Sequence, residues 1–122
     1  MSSETTKIGN WGEEIATKWL RQHGYMIVAR NWRAGRYELD IVAQKGFSIH
    51  FVEVKTRVKG GWTTPEDAIN EKKFRSLQRA ANAFLASFPT PREPQFDLIA
   101  VETSPNGEYE VRYYANAMVP HW

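Results

Sequence analysis

Cysteine is missing from the 122-residue chain, which excludes disulfide staples and any thiolate metal site and fits a reducing compartment. Long apolar runs are missing as well: none approaches the roughly 20 residues that span a bilayer. Met1 leads directly into Ser2, Ser3 and Glu4, so the start has neither the basic region nor the apolar stretch of a secretory signal. There is no internal repeat, no low-complexity tract and no Pro/Gly linker long enough to separate domains. His23, His50 and His121 are scattered, giving no spacing for a histidine metal site or a nucleophile triad. These absences leave the expectation of a soluble, cytoplasmic protein whose residues 1–122 form a single domain.

What is present supports a core. The chain is 42% hydrophobic and 13% aromatic, and at this size roughly two-thirds of the unfolded surface is buried on folding. Charge is unevenly spread. The net charge of +2 divides into +6 over residues 1–92 and −4 over the last 30 residues, where Arg112 is the one basic residue. The stretch from Ile15 to Tyr37 contains no acid but holds Lys18, Arg21, Arg30, Arg33 and Arg36. Such an excess suits a polyanion, with Arg33 and Arg36 as expected phosphate contacts, or forms an ordinary solvated face.

The apolar spacing predicts a helix over residues 8–23, with Ile8, Trp11, Ile15, Trp19 and Leu20 on one face and Gly24 as the stop. Asn10 and Glu13 are spaced as a capping box, and Thr5 or Thr6 offers an earlier start. Short β-branched and aromatic runs predict strands over residues 25–31, 37–43 and 48–55, the last two joined as a hairpin near Gly46. After a Gly60-Gly61 loop, Thr64-Pro65-Glu66 signals a helix start. The helical pattern then runs through Phe74, Leu77, Ala81, Phe84 and Leu85 to Phe88, before Pro89, Pro91 and Pro94. Strands over 95–102 and 109–115 complete the chain, separated by Ser104-Pro105-Asn106-Gly107. A mixed sheet flanked by helices is the economical arrangement.

Three polar residues interrupt otherwise apolar strands. Asp40 lies between Leu39 and Ile41, while Glu53 and Lys55 interleave with Val52 and Val54. Side chains two apart on a strand share a face, so Glu53 and Lys55 are neighbours, and the hairpin can bring Asp40 to them. Two adjacent carboxylates repel, and a divalent cation such as Mg²⁺ relieves that repulsion. A lysine beside them can manage an attacking water or stabilise charge on a phosphate. The plainer reading is a set of ordinary cross-strand partners on an exposed face.

Asp40, twelve intervening residues and then Glu53-Val54-Lys55 resemble the Asp…(Asp/Glu)-x-Lys motif of the restriction-endonuclease-like superfamily, which includes the archaeal Holliday junction resolvases. Over residues 9–101 the chain more closely resembles the YraN family of small bacterial proteins, regarded as nucleases of that superfamily. The resemblance is carried by Gly9, Gly12, Glu13, Ala16 and Leu20, then by Gly24-Tyr25, Arg30-Asn31 and Glu38-Leu39-Asp40-Ile41. It continues through Phe51-Val52-Glu53-Val54-Lys55-Thr56-Arg57, Pro65, Ala68, Lys72 and Phe96-Asp97. Tyr37 stands where the family usually has glycine, and Gln95 where it usually has arginine.

The resemblance implies an α/β, restriction-endonuclease-like fold, a mixed sheet of about five strands flanked by helices. It implies a metal-dependent nuclease acting on DNA, including branched DNA such as Holliday junctions; the alternatives are a non-catalytic nucleic-acid-binding protein on the same fold and an interaction protein without a nucleic-acid role. Asp40 and Glu53, helped by the Val54 main-chain carbonyl, would hold Mg²⁺ or Mn²⁺. Glu13 would complete the metal site, its alternative role being a helix cap, and Lys55 would be the catalytic lysine. Glu38 is expected at an edge or in a salt bridge. Arg57 and Lys72 would touch phosphates, and Lys73, Arg75 and Arg79 extend the basic stretch around Lys72. Trp62 would stack on a base or pack within the protein. A resolvase acting symmetrically on two strands needs a two-fold homodimer, although no segment announces an interface.

Overall fold

The pattern of apolar residues resolves into seven elements in the computed structural model, which describes residues 3–58 and 70–117. In chain order they are α1 (Ser3–Gln22), β1 (Met26–Ala34), β2 (Tyr37–Lys45), β3 (Ser48–Val58), α2 (Glu71–Ser87), β4 (Glu93–Thr103) and β5 (Tyr109–Tyr114). The five strands form one sheet in sequence order, β1-β2-β3-β4-β5. All neighbours are antiparallel except β3 and β4, which run parallel from Ser48↔Glu93 to Val58↔Thr103. A parallel pair requires a crossover, and α2 lies within that connection. This is the expected α/β mixed sheet with a helix on each face.

Alternation along β3 separates the two faces. Ile49 and Phe51 join Phe74, Leu77, Ala80, Ala81 and Phe84 of α2 in one cluster. Val52 joins Ala16 and Leu20 of α1, together with Ile41, Ala43, Ile99 and Val101, in the other. Phe51 is fully buried and meets Phe84 edge-on at 6.0 Å and Phe96 in a stack at 5.5 Å. Removing a ring so enclosed costs about 3–5 kcal/mol.

Helix α1 starts before residue 8, close to the Thr5 or Thr6 alternative, and the helical run ending near Phe88 is not continuous through Asn70. Helix α1 begins at Ser3, so Asn10 lies inside it and forms no capping box with Glu13. The cap reading of Glu13 is thereby removed. Helix α2 begins at Glu71, and the Asn70 side chain caps it by accepting from the Lys73 N–H at 2.8 Å. The backbone of Asn70 is extended, with φ −142° and ψ 168°, so no helix continues through it from an earlier start. The Thr64-Pro65-Glu66 signal, Gly60-Gly61 and Trp62 lie outside the described residues.

Gly12 sets how closely α1 approaches the sheet. A Cβ at this buried position would collide with the Thr56 hydroxyl of β3. The missing side chain lets α1 settle against β3, carrying Glu13 toward the strand that bears Glu53.

Candidate functional site

The site begins where β2 and β3 part. Their ladder runs from Lys45↔Ser48 to Ile41↔Val52 and stops, whereas β3 continues with β4 as far as Val58. Leu39 belongs to the α2 cluster and Ile41 to the α1 cluster. On a regular strand two residues so spaced would share a face, so β2 twists at Asp40. On its other side β1 is irregular at the same level: Arg30↔Ile41 and Trp32↔Leu39 are paired, and Asn31 between them has φ 50°. Asparagine tolerates this left-handed conformation better than most residues.

The parting leaves a main-chain donor of β3 without a β2 backbone acceptor. Asp40 supplies one: its Oδ2 accepts from the Val54 N–H at 2.9 Å. Glu53, one residue earlier on β3, is 5% exposed. Two ammonium groups face its Oε1, Lys73 of α2 at 3.0 Å and Lys55 at 3.8 Å. Burial, followed by the nearby Glu53 charge, pushes the Asp40 carboxyl up to about 7; the Val54 hydrogen bond and Lys73 oppose that rise, while Glu13 adds to it. Glu13 is itself raised, mainly by burial, against a hydrogen bond from Asn31 and the charge of Arg30. The Glu38 and Glu53 charges add to the rise at Glu13. Three acids from α1, β2 and β3 therefore feel one another's fields.

The donor set is made of oxygen. Asp40 and Glu53 can hold a hard cation in the manner of Mg²⁺, which takes one or two carboxylates and fills its remaining positions with water and phosphate oxygens. Among the described residues no group of three or more His, Cys, Asp or Glu side chains is gathered closely enough to hold an ion. Glu13 thus enters the site through its charge in this arrangement. Burial first and the Glu53 charge second raise Asp40, and the second of these is a repulsion that a divalent cation would relieve.

A cleft of about 610 Å³ opens between the start of β2 and α2, joined to the pair through Lys73, which lines it and reaches Glu53. Its lining includes Arg36, Tyr37, Lys72, Lys73, Arg75 and Arg79. Of the four expected phosphate contacts, Arg36 and Lys72 meet here. Arg33 lies outside the lining and pairs with Glu38 at 3.5 Å, so Glu38 takes the salt-bridge role expected of it. Arg57 sits near the end of β3, where its carbonyl accepts from the Thr103 hydroxyl at 3.3 Å, and is likewise outside the cleft lining. Lys73 is the contact that sequence reasoning placed only in a basic stretch. A signal was available: it stands four residues before buried Leu77, a spacing that puts both on one helix flank.

A second buried acid lies on the α1 face. Asp97 is fully buried, and its Oδ2 meets His50 Nδ1 at 2.6 Å and also accepts from the Tyr113 hydroxyl. Its Oδ1 accepts from the Asn116 N–H at 2.8 Å. His50 is thus occupied by a carboxylate away from Asp40 and Glu53, on the other face of β3.

Residues 12–101 match the family described as Uncharacterised protein family UPF0102. The chain belongs to that family. This agrees with the YraN resemblance carried by its motifs. A UPF0102 protein of Bacteroides thetaiotaomicron is 38% identical over 118 residues, covering 97% of both chains. One from Porphyromonas gingivalis is 43% identical over 99 residues, covering 81% of this chain and 73% of the relative. One from Nitratidesulfovibrio vulgaris is 47% identical over 94 residues, covering 76% of this chain and 70% of the relative. The UPF0102 match contains Glu13, Asp40, Glu53 and Lys55. No helix among the described residues is long and apolar enough to cross a membrane.

Proposed function

We propose that this UPF0102 protein is a metal-dependent nuclease that hydrolyses DNA phosphodiester bonds, including those of branched DNA such as Holliday junctions. The observation that carries the reading is the paired placement of Asp40 and Glu53. Asp40 is fixed by the Val54 N–H at the point where β2 leaves β3, beside buried Glu53, and its carboxyl is raised to about 7. Among the described residues the Val54 N–H is its one hydrogen-bond donor, fewer than a structural acid in such a position is expected to have.

Asp40 and Glu53 would hold Mg²⁺ or Mn²⁺, with the Val54 carbonyl and Glu13 completing the set. When bound, the ion supplies Lewis-acid polarisation of the phosphate and makes water a better nucleophile. Lys55 would orient the attacking water and stabilise charge developing on the phosphate. Lys73 would hold Glu53 in place. The basic cleft would grip the substrate backbone, and acting on both strands of a junction would require a homodimer.

The test is incubation of the purified protein with single-stranded, duplex and four-way-junction DNA in Mg²⁺, in Mn²⁺ and in EDTA. Cleavage in either metal and none in EDTA is expected. No cleavage of any form in any metal overturns the nuclease reading. The second reading, a nucleic-acid-binding protein without catalysis, is favoured by one observation: the Lys73 ammonium already lies 3.0 Å from Glu53 and neutralises it without an ion. Salt-sensitive DNA binding without cleavage would select that reading.

A further inference from the structure

The cleft contains an arrangement more specific than a basic surface. Arg36 Nη2 and Arg79 Nη1 both donate to the Tyr37 hydroxyl, at 3.3 and 3.1 Å. Their guanidinium carbons lie 5.4 and 6.0 Å from the centre of the Tyr37 ring. One phenol oxygen therefore gathers two arginines from different elements, Arg36 just before β2 and Arg79 on α2. Each guanidinium carries five N–H donors, so a single shared hydroxyl uses few of them. Among the described residues, five cationic side chains line the cleft against one carboxylate, Glu38. Glu38 is engaged by Arg33 at 3.5 Å, and Lys73 by Glu53 at 3.0 Å. Arg36, Lys72, Arg75 and Arg79 then remain as exposed cations around a space of nucleotide size.

We propose that the Arg36–Arg79 fork on Tyr37 is a phosphate-holding subsite that seats one phosphate of a nucleic-acid strand beside the Asp40–Glu53 pair. It rests on nucleic acid being the substrate and adds where the strand is gripped. Paired guanidiniums match the planar edges of a phosphate, which accepts two N–H bonds from each fork. Lys73 links the two places, since it lines the cleft and touches Glu53. A phosphate on the fork would therefore be a near neighbour of the one presented to Asp40 and Glu53. A strand's terminal phosphate and an internal backbone phosphate offer the same chemistry.

The experiment measures binding of short single-stranded DNA, with a 5′-phosphate or a 5′-hydroxyl, by fluorescence anisotropy in EDTA. Arg36→Ala/Arg79→Ala is compared with Arg21→Ala/Arg112→Ala, which removes equal charge from exposed positions on α1 and β5. Melting curves check that each variant is folded. The fork variant should weaken binding about tenfold, and the control less than about twofold. Arg36→Lys/Arg79→Lys keeps the charge and loses the fork, and should fall between wild type and the alanine pair. A wild-type preference for the 5′-phosphate that vanishes in the fork variant assigns the subsite to a strand end. Equal loss for both oligonucleotides assigns it to the backbone. Equal effects of the two alanine pairs, or a lysine pair no weaker than wild type, overturn the subsite. Because metal is absent, a protein that fails to cut DNA can still give the positive result, whereas one that binds neither oligonucleotide overturns the nucleic-acid reading as well.

Discussion

Asp97 and Asp40 are both acids placed within the same sheet, but their surroundings differ in kind. Asp97 meets His50 and receives hydrogen bonds from the Tyr113 hydroxyl and the Asn116 N–H. It ties β3, β4 and the end of β5 together, and the Tyr113 hydroxyl is in turn bonded by Tyr25 at 3.2 Å. Asp40 has the Val54 N–H as its hydrogen-bond donor and lies in the fields of Glu53 and Glu13. The first arrangement satisfies a buried charge and stiffens the fold. The second leaves like charges crowded, at a cost in stability that a purely structural site has no reason to keep. On the proposed function, the difference separates a structural carboxylate from a working one.

The two acids should differ most in catalysis. Asp40→Asn keeps the shape and removes a negative charge, so cleavage should fall by at least about 1000-fold. Mn²⁺ binding measured by calorimetry should be lost, while DNA binding persists or tightens. Lys55→Ala should abolish cleavage yet leave Mn²⁺ binding largely intact. A cutting Asp40→Asn protein would remove Asp40 from the chemistry.

Stability should show the opposite ranking. Asp97→Asn aims amide hydrogens at groups that donate to Asp97, and should cost about 2–4 kcal/mol, read as a lowered melting temperature. Asp40→Asn should leave the metal-free protein as stable or more so. Equal losses in both variants would erase the distinction between the two acids.

The sign of the pH dependence sharpens it further. The folded-state Asp40 value, about 7, lies above the ordinary carboxylate value of 3.8. The stability associated with neutral Asp40 is therefore fully present below about pH 4 and lost as pH rises through about 7. Urea unfolding of metal-free wild type near pH 5 and near pH 8 should reveal a contribution on the order of 1–3 kcal/mol, absent from Asp40→Asn. A matching pH dependence in the variant would place its origin elsewhere.

The smallest effect belongs to the surface. Arg33→Ala/Arg36→Ala should weaken DNA binding and flatten the dependence of log affinity on log salt by about one to two units. An unchanged slope would move the binding face away from the start of β2.

The hairpin and its three polar residues were legible because Asp40, Glu53 and Lys55 interrupt apolar strands at fixed parity. Gly46 at the turn set the register. The break in pairing at Asp40 was not legible. It coincides with the left-handed Asn31 in the neighbouring strand and with a Val54 N–H that donates to Asp40, and neither follows from spacing along one strand. For Lys73 the four-residue step to Leu77 marks the helix flank, but its contact with Glu53 becomes visible only when the helix is docked. The first turns of α1 are marked only by the Thr5 or Thr6 start signal: Ser3 to Lys7 contain no apolar residue, and periodicity detects a buried face rather than a helical backbone.

The one parallel pair also governs when the parts come together. Asp40, Glu53 and Lys55 belong to a single hairpin that can form by local pairing. Lys73 and the arginine fork require α2, held in the long connection between Val58 and Glu93. Closing that connection costs more chain entropy than closing the Gly46 turn, so β3–β4 pairing is the later event. During synthesis the acids emerge from the ribosome before the helix that carries Lys73 and Arg79. A nascent chain ending before α2 carries the acids of the hairpin but lacks the α2 wall of the basic cleft.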